Sequence, residues 1–255
     1  MMSNKQYLLT DEEVAHFITY GYRIVEADFP DGFNESICNE LDVELAHTNP
    51  MNAILDRVPK LNQVYDHPKV RGVLESLLGE DFQMHEHRHC HKNEPGTRSQ
   101  TWHQDSSNER HHRIECVLGF YYPQDVTTDM GPTAIVPGTH FRNAPSDRMA
   151  AYGNFREQVV TTVKAGTVVF AHYDVWHAAT ANTSNKIRYM LKFLFNRSSE
   201  PRIPSWNHNP QEIDKAMEVF GNKVCDVAQS DHYKEGGLRR EMWNHLIGNS
   251  SSLAQ

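Results

Sequence analysis

The chain has 255 residues, enough to bury a sizeable core in one domain, and its 38% hydrophobic and 23% charged content excludes intrinsic disorder. A net charge of −8 gives no electrostatic ground for general nucleic-acid or anionic-membrane binding, and no apolar run reaches the length of a membrane span. Cys38, Cys90, Cys116 and Cys225 are scattered without a C-x-x-C pair, which argues against a disulfide framework or zinc knuckle and, with a polar N-terminus, leads us to expect a cytoplasmic protein. The unusual number is sixteen histidines, a residue type that serves as metal ligand and proton carrier, so their positions have to be weighed.

Thr10 followed by Asp11, Glu12 and Glu13 reads as an N-cap with an acidic first turn, opening a helix through Val14, Phe17 and Ile18 that ends near Gly21. A strand over Tyr22 to Phe29 follows, broken by Pro30-Asp31-Gly32 before a second amphipathic helix with Ile37, Leu41 and Leu45. A third helix, His67 to Leu78, carries Val70, Val73, Leu74 and Leu77 at helical spacing and stops at Gly79. From Asp81 to about Arg197 short apolar or alternating runs are separated by Gly, Pro, Asn and Asp, the pattern of an antiparallel barrel or sandwich. Strands are expected at Phe82 to His91, Ile114 to Tyr122, Gln158 to Val163, Thr167 to Ala171 and Ile187 to Phe195. Helical-looking segments return at Pro210 to Val227 and Gly237 to Leu246. No internal repeat appears, so the expectation is one α+β domain over residues 1–255, a β-core at about 81–197 with helices on both sides.

In Trp102-His103-Gln104-Asp105 an imidazole and a carboxylate stand two residues apart, on one face of an extended segment, where they can grip one ion. Alone this is weak, since His-X-Asp occurs by chance. A third ligand has to come from elsewhere, and Ala171-His172-Tyr173-Asp174-Val175-Trp176-His177 offers two histidines. His177 is preferred because Arg188 follows it at the start of the apolar run Tyr189-Met190-Leu191. An arginine on such a strand is costly to bury unless an anion meets it, and its guanidinium is the bidentate partner of a carboxylate such as the distal one of 2-oxoglutarate. Two histidines and one carboxylate form the facial triad of non-haem iron(II) oxygenases, whereas zinc more often takes a tetrahedral site.

The chain resembles the phytanoyl-CoA dioxygenase-like family of iron(II)/2-oxoglutarate-dependent dioxygenases over roughly Glu12 to Arg197. The resemblance rests on Trp102-His103-Gln104-Asp105, on His177 with Arg188, and most specifically on Gly131-Pro132-Thr133-Ala134-Ile135-Val136-Pro137-Gly138-Thr139-His140. It implies a double-stranded β-helix (jelly roll), and iron(II) held by His103, Asp105 and His177. It also implies dioxygen and 2-oxoglutarate as reactants, and hydroxylation of a small organic molecule with release of succinate and carbon dioxide. Arg188 matches the anchor of the distal carboxylate. By analogy with relatives, Gln100 and Tyr121 are polar neighbours of the cosubstrate. Ala179 stands where some members have a small hydroxyl residue, leaving Thr180 as a substitute. In the halogenating branch the carboxylate is replaced by Gly or Ala; with Asp105 present, an alcohol, a desaturation or a ring closure is implied instead.

His85, His87, His89 and His91 alternate along one expected strand, so their imidazoles point the same way. They line the mouth of the barrel in one reading and bind a second metal in the other. The loop Asn108-Glu109-Arg110-His111-His112-Arg113 offers cations for an anionic substrate, a solvated loop being the equal alternative. Two further readings stay open: a zinc-dependent hydrolase built on the histidine-rich strand, and a catalytically silent jelly-roll binding module. Substrate identity and oligomeric state are not legible.

Overall fold

A computed structural model of the chain describes residues 5–105, 113–142 and 153–249. Helix α1 (Asp11–Tyr20) opens with a reciprocal cap: Thr10 Oγ1 accepts from the Glu13 amide while the Glu13 carboxylate accepts from the Thr10 amide. It ends at Gly21, whose φ of 78° favours glycine. Strand β1 (Tyr22–Glu26) leads to α2 (Phe33–Glu44), two short helices α3 (Ile54–Arg57) and α4 (Leu61–Tyr65), and α5 (Pro68–Leu78). The strands that follow are β2 (Gln83–Asn93), β3 (Cys116–Tyr122), β4 (Thr133–Val136), β5 (Val159–Val160), β6 (Thr167–His172), β7 (Trp176–Ala179) and β8 (Arg188–Asn196), before helices α6 (Ile213–Phe220) and α7 (Gln229–Leu246).

The strands form two antiparallel sheets, a large one in the order β1-β6-β3-β8-β2 and a small one in the order β5-β4-β7. Strands β6, β3 and β8 are central, with neighbours on both sides and both faces covered, and their sequences (TVVFAH, CVLGFYY, RYMLKFLFN) run almost continuously apolar instead of alternating. One face of the large sheet, with Val117, Tyr121, Leu191, Phe193 and Phe195, packs with the helices. Its other face, with Leu118, Phe120, Tyr122, Val169, Met190 and Leu194, meets Ile135 of the small sheet in the barrel interior. This is the jelly roll with flanking helices that the sequence leads us to expect.

Differences concern short or polar segments. Helices α3 and α4 span four and five residues, too few for a periodic signal. Strand β7 has four residues and was absent from the expected strands. Helix α7 begins at Gln229 rather than Gly237, because a tertiary contact holds its polar first turns: Arg142 donates to both carboxylate oxygens of buried Glu235, at 2.7 and 3.1 Å. Among the described residues no helix is long and apolar enough to cross a membrane.

Candidate metal centre

The segment carrying His103 lies against β7, the His103 and His177 amides each donating to the other's carbonyl at 3.1 and 2.9 Å. Alternation then turns both imidazoles inward. Each ring is oriented by its own backbone: His103 Nδ1 donates to the Thr101 carbonyl at 2.8 Å and His177 Nδ1 to the Val175 carbonyl at 3.0 Å. Since a carbonyl can only accept, both protons sit on Nδ1 and both Nε2 lone pairs are left for a ligand. His103 Nε2 is 3.8 Å from Asp105 Oδ1 and His177 Nε2 is 3.7 Å from Asp105 Oδ2. One ion about 2.1 Å from each donor fits those separations. Among the described residues these three form the cluster of His, Cys, Asp or Glu side chains able to share one ion.

Electrostatics agree with a cation site. Burial pushes the His177 imidazole down to about 4, so the ring is neutral at pH 7, as a ligand must be. For Asp105 burial acts upward, but His177 and Lys192 outweigh it and hold the carboxyl below its ordinary value. His172, the competing histidine, sits on the other side of β6, its Nδ1 accepting from the Asp174 amide and its Nε2 3.1 Å from the Arg113 carbonyl.

Arg188 opens β8 opposite Asn93 of β2 and is fully buried. Its Nη2 donates to the Gly131 carbonyl at 2.7 Å, while Nε and Nη1 have no partner, and neither does the buried Nδ2 of Asn93. Buried donors without acceptors are costly and uncommon. Three such donors on facing residues describe a place for an anion with several oxygens, and the distal carboxylate of a 2-oxo diacid suits it.

The remaining expected neighbours are placed elsewhere. Tyr121 points from β3 toward the helices, donating to Asn34 Oδ1 at 2.6 Å. Its neighbour Tyr122 faces the interior on the Arg188 side, bonded to Thr133 Oγ1 at 3.0 Å and 3.2 Å from Thr161 Oγ1. Thr180 continues the outward face of β7 and donates to the Pro132 carbonyl, while Ala179 shares the His177 face. Gln100 is exposed and ties the edge of β7, its Oε1 accepting from the Ala179 amide at 3.0 Å. Tyr121 and Thr180 thus face away from the Arg188 side, and Gln100 bonds to the β7 backbone.

Lys192, Asn93 and Tyr122, which sequence reasoning did not single out, also face this interior. The argument that singled out Arg188, a cation on an apolar strand, applies equally to Lys192 four positions on. Of the histidine row, His87, His89 and His91 line up with ring centroids 5.0 and 4.6 Å apart, and a bulge between Met84 and Arg88 lets His85 fold back to accept from the His87 amide. In the cationic loop, residues 106–112 lie outside the described residues; Arg113 pairs with Glu200 at 3.1 Å.

Fold and site together define a jelly-roll enzyme with a two-histidine, one-carboxylate metal centre. Residues 5–190 match the phytanoyl-CoA dioxygenase (PhyH) family model, and the chain belongs to that family. It is a non-haem iron(II)- and 2-oxoglutarate-dependent enzyme of the dioxygenase class. No curated protein sequence matches it. Among solved structures it is similar to iron-bound HygX from Streptomyces hygroscopicus, at 14% identity and TM-score 0.62, over 87% of this chain and 97% of that one. HygX is also known with nickel, 2-oxoglutarate and hygromycin B bound. Two enzymes of nogalamycin biosynthesis are similar as well. The non-haem α-ketoglutarate-dependent epimerase SnoN has 18% identity and TM-score 0.60 over 74% of this chain and 84% of its own. The carbocyclase SnoK has 19% identity and TM-score 0.59 over 87% and 94%. At these identities the likeness is one of fold.

Proposed function

We propose that the protein is a single-domain cytoplasmic hydroxylase of a small organic molecule, with His103, Asp105 and His177 holding iron(II) and Arg188 anchoring 2-oxoglutarate. The observation that carries this reading is Arg188, a fully buried guanidinium with Nε and Nη1 unpartnered, on the strand face turned toward the metal ligands. Iron(II), when bound, supplies activation of dioxygen coupled to oxidative decarboxylation of 2-oxoglutarate to succinate and carbon dioxide.

The chain's own residues bind and orient. Nδ1 protonation of His103 and His177 aims their Nε2 atoms at one ion, and Asp105 completes the set. Arg188 and Asn93 give charge-assisted hydrogen bonds to the far carboxylate of the cosubstrate, with Tyr122 beside them. Phe120, whose ring lies 5.7 Å from that of His177, and Ile135 keep the interior dry. Because Asp105 supplies a carboxylate ligand, hydroxylation is favoured over halogenation.

Anaerobic addition of 2-oxoglutarate to the iron(II)-loaded protein should produce a weak visible charge-transfer band. Arg188→Ala should lose it at concentrations that saturate the wild type, and His177→Ala should lose both the band and 2-oxoglutarate decarboxylation. Normal decarboxylation by His177→Ala would refute the ligand assignment.

A further inference from the structure

Lys192 is a buried cation beside Asp105 that itself holds neither metal nor cosubstrate in the function proposed above. It follows Arg188 and Met190 on the inward face of β8, is 6% exposed, and places Nζ 2.5 Å from Asp105 Oδ2. The β2–β8 register sets His89 opposite Lys192 and His91 opposite Met190. The two imidazoles meet Nε2 to Nε2 at 2.9 Å, one donating to the other, while His89 Nδ1 is buried without a partner. Burial, with Lys192 nearby, pushes His89 down to about 4 and His91 to about 3, so both rings add hydrogen-bonding groups and no charge.

The charges of the proposed holo site do not close. A divalent ion and a dianionic cosubstrate cancel each other, and Asp105 cancels one of the two buried cations Lys192 and Arg188. One unit of positive charge is left in the interior, where an uncompensated charge is strongly unfavourable. The far carboxylate of the cosubstrate would pair with Arg188 and its other carboxylate with the metal, and Asp105 is shared between the metal site and Lys192, so the surplus lies in that group, with Lys192 midway along β8 beside the metal ligands. The exposed ring of His87 continues the same row outward to solvent.

Resting on the function proposed above, we propose that Lys192, with His89 beside it, holds a carboxylate of the primary substrate, making the enzyme selective for monocarboxylic small molecules. A carboxylate brings the single negative charge that the site lacks. A phosphate monoester brings about −1.5 to −2 at pH 7 and overshoots it. Lys192 is then a specificity-determining residue: it holds the substrate's carboxylate end and so fixes which part of the molecule faces the metal.

The test uses the full chain loaded anaerobically with iron(II) and saturating 2-oxoglutarate. Acetate, its neutral counterpart acetamide, and inorganic phosphate are titrated separately, with binding read by calorimetry and by the change in the visible band. Acetate should bind in preference to both. Lys192→Met should weaken acetate by about tenfold or more, and Lys192→Arg should restore most of the loss, because the charge-assisted hydrogen bond is what is removed and returned. The inference is overturned if acetamide or phosphate binds the wild type as tightly as acetate, a comparison that needs no variant, or if acetate binding is unchanged in Lys192→Met. A normal 2-oxoglutarate band with Lys192-independent acetate binding defeats this inference alone. Absence of the band in metal-loaded wild type defeats the hydroxylase reading and this inference with it.

Discussion

At the residue scale, Arg188 shows function set against stability. A buried guanidinium with unmet donors is less favourable than a packed apolar side chain when no anion is present. Arg188→Met should leave the melting temperature of the metal-free protein unchanged or higher, while weakening 2-oxoglutarate by about a hundredfold or more, the loss of a bidentate charge-assisted contact. A large fall in melting temperature would show that the guanidinium is needed for folding. His140 makes a second residue-scale prediction. It is buried, its Nε2 donates to the Ile18 carbonyl at 2.8 Å, and burial first, then His172, push its pKa well below 6.5. The folded state thus resists a proton that the unfolded chain accepts. The stability contributed by neutral His140 is complete above about pH 6.5 and falls as pH drops below it, by up to about 1.4 kcal/mol per pH unit. Melting temperatures between pH 7.5 and 5 should fall more steeply for wild type than for His140→Gln, and parallel slopes would reject this. His103 and Asp105 were singled out by their spacing, and His177 with Arg188 by the cost of burying an arginine on an apolar strand. The side of the sheet that Tyr121 takes was not legible, because adjacent residues of a strand face opposite ways and only the register says which is inside.

Elements were legible in proportion to their length and local chemistry. Helix α1 announces itself through Thr10 and Glu13, and α5 through His67, Pro68 and the spacing of Val70, Val73, Leu74 and Leu77. Helices α3 and α4 have no such signal, and the start of α7 depends on Arg142, which is distant in sequence. A glycine in α5 was equally opaque. A Cβ at Gly72 would stand 2.1 Å from the Tyr7 carbonyl oxygen, so the segment before α1 packs directly on this helix. Although alanine is the better helix former, Gly72→Ala should destabilise by about 1–3 kcal/mol, because backbone has to move. Urea unfolding would measure it; an unchanged midpoint would mean that residues 5–7 dock without constraint.

The whole molecule is two sheets closed over an interior to which both contribute. The small sheet and the segment bonded to it carry His103, Asp105 and His177; the large sheet carries Arg188, Asn93 and Lys192. On the proposed assignment, iron(II) and 2-oxoglutarate bind between them and would tie the layers together. Iron(II) with 2-oxoglutarate at about a hundred times its Kd should therefore stabilise the folded state by roughly 2.7 kcal/mol beyond iron alone, a rise of several degrees in melting temperature. Arg188→Met should keep the iron increment and lose the second. Equal increments in both proteins would place the cosubstrate elsewhere. Sequence gave access to this architecture through its short apolar runs and the Pro-Gly-Thr-His turn. It gave none to the pairing of β2 with β8, which brings Asn93 and His89 to Arg188 and Lys192 from a distant part of the chain.

His103 and His177 are hydrogen-bonded to each other through their own peptide groups. The spacing of the two nitrogen donors is therefore set by the ladder of the sheet and exists before any ion arrives. Such a socket gains affinity, since nothing has to be ordered on binding, but it has little means of choosing among ions of similar radius. Affinity should then climb from manganese through iron and nickel toward copper, with zinc tighter than iron. On the proposed ligand assignment, metal occupancy would be decided by supply, and zinc or copper in excess should inhibit through the same rigidity that readies the site for iron.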